Sequence, residues 1–159
     1  MKNWKKELDE KIHKAMKEKD EDSLRALKML KTELTNEEVK NEREELEEEQ
    51  IMEVIQRAVN RRKESIEEFK KVGKEDRVKE EEAELKILMQ YMPEQMSKEE
   101  VARIVDQVIE ETKAESMKDM GKVMGKIMPQ VKGKADGKMV NEIVKQKLGT
   151  ESDGSEKEQ

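Results

Sequence analysis

Apolar residues recur along this chain at helical intervals, separated by long charged stretches, and that rhythm lays out most of its elements. Trp4, Leu8, Ile12, Ala15 and Met16 sit three or four residues apart and predict a first helix from about Asn3 to Glu18. Asp20–Ser23 reads as a turn with a helix start, and Leu24, Leu27, Leu30 and Leu34 form the stripe of a second helix. From Glu37 to Gln50 the pattern turns strongly polar. A break is placed near Asn41–Glu45, although no residue there forbids continuous helix. Ile51, Ile55, Ala58, Val59, Ile66 and Phe69 mark a third helix, with Gly73 as its stop. A fourth runs from about Lys74 to Tyr91, with Val78, Leu85, Leu88, Met89 and Met92 on its buried side. Such narrow stripes on long charged helices imply antiparallel pairing.

Pro93 is the expected domain boundary, because it disfavours helical geometry at Met92 and lacks the N–H an interior helix position needs. Ser97-Lys98-Glu99-Glu100 then reads as a capping box. Val101, Ile104, Val105, Val108 and Ile109 follow it at amphipathic spacing. Ser116 is placed as the cap of the next helix, lined on one side by Met117, Met120, Met124, Ile127 and Met128. Asp136 caps the last, which buries Val140, Ile143, Val144 and Leu148. The pattern divides the chain into an N-terminal helical domain, 1–92, a C-terminal three-helix domain, 93–148, and a disordered polar tail, 149–159.

Composition supports an all-α fold. Charged residues make up 47% and hydrophobic ones 33%, near the limit of foldability, so spacing rather than content argues for a folded chain. Aromatics are confined to Trp4, Phe69 and Tyr91, whereas Glu, Lys, Leu, Met and Ala favour helix. The absence of Cys excludes disulfides, thiolate metal sites and cysteine nucleophiles. The N-terminus lacks the apolar core of a signal peptide, and no apolar run approaches a membrane span. A soluble, cytoplasmic protein is expected.

Charge is unevenly distributed. The net charge is −6, yet Lys118–Leu148 holds eight lysines against Asp119, Asp136 and Glu142, a local balance of +5. A polyanion site is expected there. Four Gly-Lys dipeptides, at Gly121, Gly125, Gly133 and Gly137, invite comparison with a phosphate loop, but spacing rules it out. Only three residues separate each pair of glycines, and Ile127 and Met139 stand where a hydroxyl should bind magnesium. Gly121 and Gly125, four apart, are read as letting a neighbouring helix approach; Gly133 and Gly137 are read as serving a helix-end turn.

The other chemical candidates have plain readings. The methionine stripe reads as core rather than as an adaptable groove. His13, the only histidine, has no visible catalytic or zinc partners and reads as solvent-facing. Glu47–Glu49 and Glu80–Glu82 read as solvated faces, without the spacing of a calcium loop. Arg62 lies close to the apolar stripe, where a structural salt bridge is favoured. No catalytic constellation, metal or cofactor is expected.

The run MGKVMGKIMPQVKGKADGKMVN at Met120–Asn141 closely resembles the signature of the GatB/YqeY family. YMPEQMS at Tyr91–Ser97 and RRKESIEEF at Arg61–Phe69 extend the resemblance, which covers about Met1 to Leu148 and departs mainly around Glu44–Gln50. It implies an N-terminal helical domain followed by a small three-helix domain. The same module forms the C-terminal tail of the B subunit of glutamine-dependent tRNA amidotransferase. There it helps hold tRNA, while phosphorylation and amide transfer occur in a separate domain. The carbon–nitrogen ligase chemistry of that enzyme is therefore not expected of these 159 residues.

The functional expectation is a non-catalytic tRNA-binding or tRNA-associated module. Lys122, Lys126, Lys132, Lys134 and Lys138 would contact phosphates, and Gly121, Gly125, Gly133 and Gly137 would let the nucleic-acid backbone come close. Scarce aromatics argue for reading shape rather than unstacked bases. The alternatives are a protein-interaction adaptor, or an accessory acting with an amidotransferase in trans. No membrane or DNA partner is expected, and long charged helices leave dimerisation open.

Overall fold

The computed structural model describes the backbone of residues 3–157 and the side chains of residues 3–149. Among these there are seven α-helices and no strand, so the fold is all-α. No helix among the described residues is long and apolar enough to cross a membrane. The chain divides into two compact units, Met1–Met92 and Pro93–Gln159.

The first unit contains α1 (Trp4–Glu18), α2 (Glu21–Lys40), α3 (Glu48–Lys71) and α4 (Glu75–Met89). Asp20 starts α2 by accepting from the Ser23 amide at 3.1 Å and from its hydroxyl at 2.6 Å. These donors hold the Asp20 carboxyl below its usual range, the hydroxyl contributing most. The chain does break between α2 and α3. Glu42 and Arg43 both adopt left-handed geometry, and Leu46, an isolated apolar residue in the glutamate-rich stretch, turns into the core. Gly73 terminates α3 with φ of 71°. Trp4, Leu8, Leu27, Leu30, Leu34, Ile51, Ile55, Val59 and Leu88 interlock as the core.

Three sequence expectations fail on α4 and α3. The buried side of α4 includes Glu81 and Glu84 beside Leu88, so the Glu80–Glu82 run is not simply a solvated face. Val78 is only half-buried, and Phe69 is half-buried outside the core with Arg77 stacked 5.1 Å from its ring.

The second unit contains α5 (Lys98–Thr112), a 3₁₀ turn (Met117–Asp119), α6 (Met120–Val131) and α7 (Gly137–Lys157). The Ser97 box forms as expected: its hydroxyl accepts from the Glu100 amide at 3.1 Å, and Glu100 accepts from the Ser97 amide at 3.0 Å. Three branched residues from each helix fill the core: Val101, Val105 and Val108; Val123, Ile127 and Val131; Val140, Val144 and Leu148. The methionine stripe thus lies to one side of the true buried stripe of α6. Met120, Met124 and Met128 only flank the core, and Met117 is exposed. Ser116 caps the 3₁₀ turn rather than α6 itself. Asp136 accepts from the Lys138 amide at 3.1 Å and starts α7. The expected tail, 149–159, falls almost wholly outside the described side chains; its backbone is described to Lys157, within α7.

Candidate nucleic-acid interface

Because α6 buries Val123, Ile127 and Val131, its periodicity turns Gly121, Lys122, Gly125, Lys126, Pro129 and Gln130 outward, and all six are exposed. A Cβ built on Gly121 or Gly125 would meet nothing within 4 Å. The expected packing of a neighbouring helix against these glycines is therefore overturned, since they lie opposite the face that α5 and α7 cover. They form a smooth, open strip beside a row of lysines. Pro129 fits inside α6 because the carbonyl its ring leaves unpaired, four residues back at Gly125, is on the exposed side.

The connection from α6 to α7 has another design. Val131, Gly133 and Ala135 are buried, while Lys132 and Lys134 between them are exposed. Gly133 adopts φ of 77°, a geometry that suits glycine, and so serves the turn as expected. Its carbonyl accepts from Gln95 Nε2 at 2.9 Å, and the same amide donates to the Pro93 carbonyl at 2.7 Å. The Met96 amide donates to the Lys134 carbonyl at 2.7 Å. Residues from the YMPEQMS motif thus hold the Gly-Lys loop from its inner side. Sequence reasoning missed Gln95, because a side chain serving a distant backbone carbonyl leaves no periodic trace.

The five candidate lysines are all exposed, but the structure separates their surroundings. Lys122 Nζ lies 3.5 Å from the Thr112 carbonyl at the end of α5, where an ammonium complements the helix dipole. Lys132 and Lys138 interact with other groups of the chain. Lys126 and Lys134 have no ion-pair partner among the described residues. Beside this segment, α5 is acidic: Glu99, Glu100, Asp106, Glu110 and Glu111 outnumber Lys98 and Arg103. Lys147 on α7 pairs with Asp106 on α5 at 2.7 Å. Asp119 accepts from the Glu115 amide at 2.9 Å and the Ser116 amide at 3.4 Å. Those bonds, with Lys122 adding to them, hold its carboxyl below the usual range.

The other polar concentration lies in the first unit and is structural. Arg62 Nη1 reaches Glu81 at 2.8 Å and Glu84 at 3.0 Å, and Arg25 Nε reaches Glu84 at 3.2 Å. The Arg62 side chain is 14% exposed and that of Glu84 6%, which makes this a largely buried ion cluster, as favoured for Arg62. His13 is exposed on α1. Among the described residues no cluster of three or more His, Asp or Glu side chains is arranged to hold a metal ion.

No curated protein matches the chain. The model of the family described as Yqey-like protein matches residues 5–148, nearly the whole length, and the chain belongs to that family.

Proposed function

We infer that the protein is a non-catalytic module that binds or accompanies tRNA in the cytoplasm, in the manner of the amidotransferase tail it resembles. The observation that carries this reading is the outward row of Lys122 and Lys126 on the open glycine face of α6, continued by Lys134 on the following loop. Lysines on such a face exchange condensed counterions for phosphate contacts. Gly121 and Gly125, with no Cβ to stand off a ligand, let a sugar–phosphate backbone approach the helix closely. The aromatics support recognition by shape. Trp4 is buried, Lys11 Nζ lies 4.4 Å from the Tyr91 ring, and Arg77 stacks on Phe69, so none offers a bare platform for a base.

The test is binding of unfractionated tRNA across a salt series by wild type and by Lys122→Ala/Lys126→Ala/Lys134→Ala. Loss of three phosphate contacts should weaken binding and shrink the log–log salt slope by about 2. Unchanged binding in the triple variant would sink the assignment to this face. A protein partner is the second reading, favoured by the exposed Met117 and the half-buried Met120, Met124 and Met128 bordering the glycine strip. Capture of a partner that survives nuclease treatment would move the conclusion there.

A further inference from the structure

The connection between α6 and α7 has two faces with different duties. Inward, Val131, Gly133 and Ala135 are buried; outward, Lys132 and Lys134 are exposed. The alternation is set by a tight turn with Gly133 at φ of 77°, and nothing in the residues themselves enforces it, because a Lys-Gly-Lys segment is free to adopt many conformations. Part of the order comes from the preceding helix: the Lys134 and Ala135 amides donate to the Val131 carbonyl at 2.8 and 3.0 Å. The rest comes from residues nearly forty positions earlier. Gln95 spends its amide group on the carbonyls of Pro93 and Gly133, and the Met96 amide takes the carbonyl of Lys134. Gly133 is buried, so without the Gln95 donor its carbonyl would lose its side-chain partner inside the unit.

We propose that Gln95 is a positioning residue for RNA binding: by clamping the inner side of the loop it fixes the outward course of Lys132 and Lys134, and so holds Lys134 ready for phosphate. The proposal rests on the tRNA reading above and deepens it. Gln95 is neutral and need not touch the ligand. Its contribution is pre-organisation, since a loop already ordered loses less freedom when it binds. A loose loop would carry the same charge and bind less tightly.

That separates two effects which a lysine variant mixes. Gln95→Met keeps the length and charge of the side chain and removes its donors. Unfractionated tRNA should bind this variant about three- to tenfold more weakly, as expected for lost loop order, with the salt slope of wild type. Hydrogen exchange at the Lys134 and Ala135 amides should quicken in the free protein. In a Lys132→Ala/Lys134→Ala background, adding Gln95→Met should cost nothing further, because the lysines it presents are gone. An equal additional loss in that background would show a general effect on folding and overturn the proposal, even if the single variant is unstable. Wild-type affinity in Gln95→Met with faster exchange would also overturn it while leaving the tRNA reading intact. Failure of wild type to bind tRNA would overturn both.

Discussion

The two helical units solve the same packing problem with different materials. In the second, three helices each offer three branched aliphatic residues, and all nine are fully buried. In the first, α4 contributes Glu81 and Glu84 as well as Leu88 to its buried side, and Arg62 and Arg25 on the facing helices neutralise them. An apolar core tolerates loss of a side chain in proportion to the cavity left behind. An ion cluster does not degrade in proportion: taking one partner leaves an uncompensated charge, while taking a whole pair can be nearly neutral. The stability of the first unit therefore depends on a matched set of charges as well as on its apolar core, and that of the second on filled volume.

The contrast is most sharply tested by truncation. Arg62→Ala should destabilise the protein by about 3–5 kcal/mol in denaturant unfolding followed by circular dichroism. Ile127→Ala in the second unit should cost about 2–5 kcal/mol. Only the first loss should be recoverable by a second replacement: Arg62→Met/Glu81→Leu should regain most of it, Arg25 still holding Glu84. No recovery in the double variant would dissolve the distinction between the units.

A smaller and opposite effect is expected where the units agree. Lys19 after α1 and Lys113 after α5 both end their helices in left-handed geometry, with φ of 56° and 55°. Glycine relieves the Cβ crowding there at some entropic cost, so Lys19→Gly and Lys113→Gly should each stabilise by about 0.5–1 kcal/mol. A loss of stability from either would show that the lysine side chain contributes more than its strained backbone costs.

The smallest effect is acid dependence. Asp20 in the first unit and Asp119 in the second have folded-state carboxyls held below their ordinary range by donated hydrogen bonds. A depressed folded value means the contribution is fully present above the unfolded pKa and is lost as pH falls through the lowered value. Asp20→Ala and Asp119→Ala should each lower stability near neutrality and flatten its decline on acidification. An unchanged decline, measured as unfolding midpoint against pH, would count against these caps.

How much of this was legible in the sequence followed from how local each cause is. Gly73, Pro93 and the Ser97–Glu100 box announced themselves because glycine, proline and capping residues act within a turn of where they stand. The end of α1 was read at Glu18, where it falls, from the turn signals that follow it; the end of α5 was not, because Lys113 occupies a position that glycine usually marks. Arg62 could be suspected from its place beside an apolar stripe, but Glu81 looked like a solvent-facing acid and Glu84 drew no reading at all, their partners lying on other helices. Lysine exposure on α6 was readable from periodicity. The fate of Gly121 and Gly125 was not: spacing says that two glycines share a face, and only the fold says that the face is open.

One consequence follows from where the three aromatic residues fall. Trp4, Phe69 and Tyr91 all belong to the first unit, and Trp4 is sealed in its core. Intrinsic fluorescence therefore watches only the first unit, while the lysine-bearing unit is optically silent. A titration that leaves tryptophan emission unmoved would say nothing about the basic face. Met117→Trp, at an exposed site next to α6, would give that half of the molecule a signal of its own.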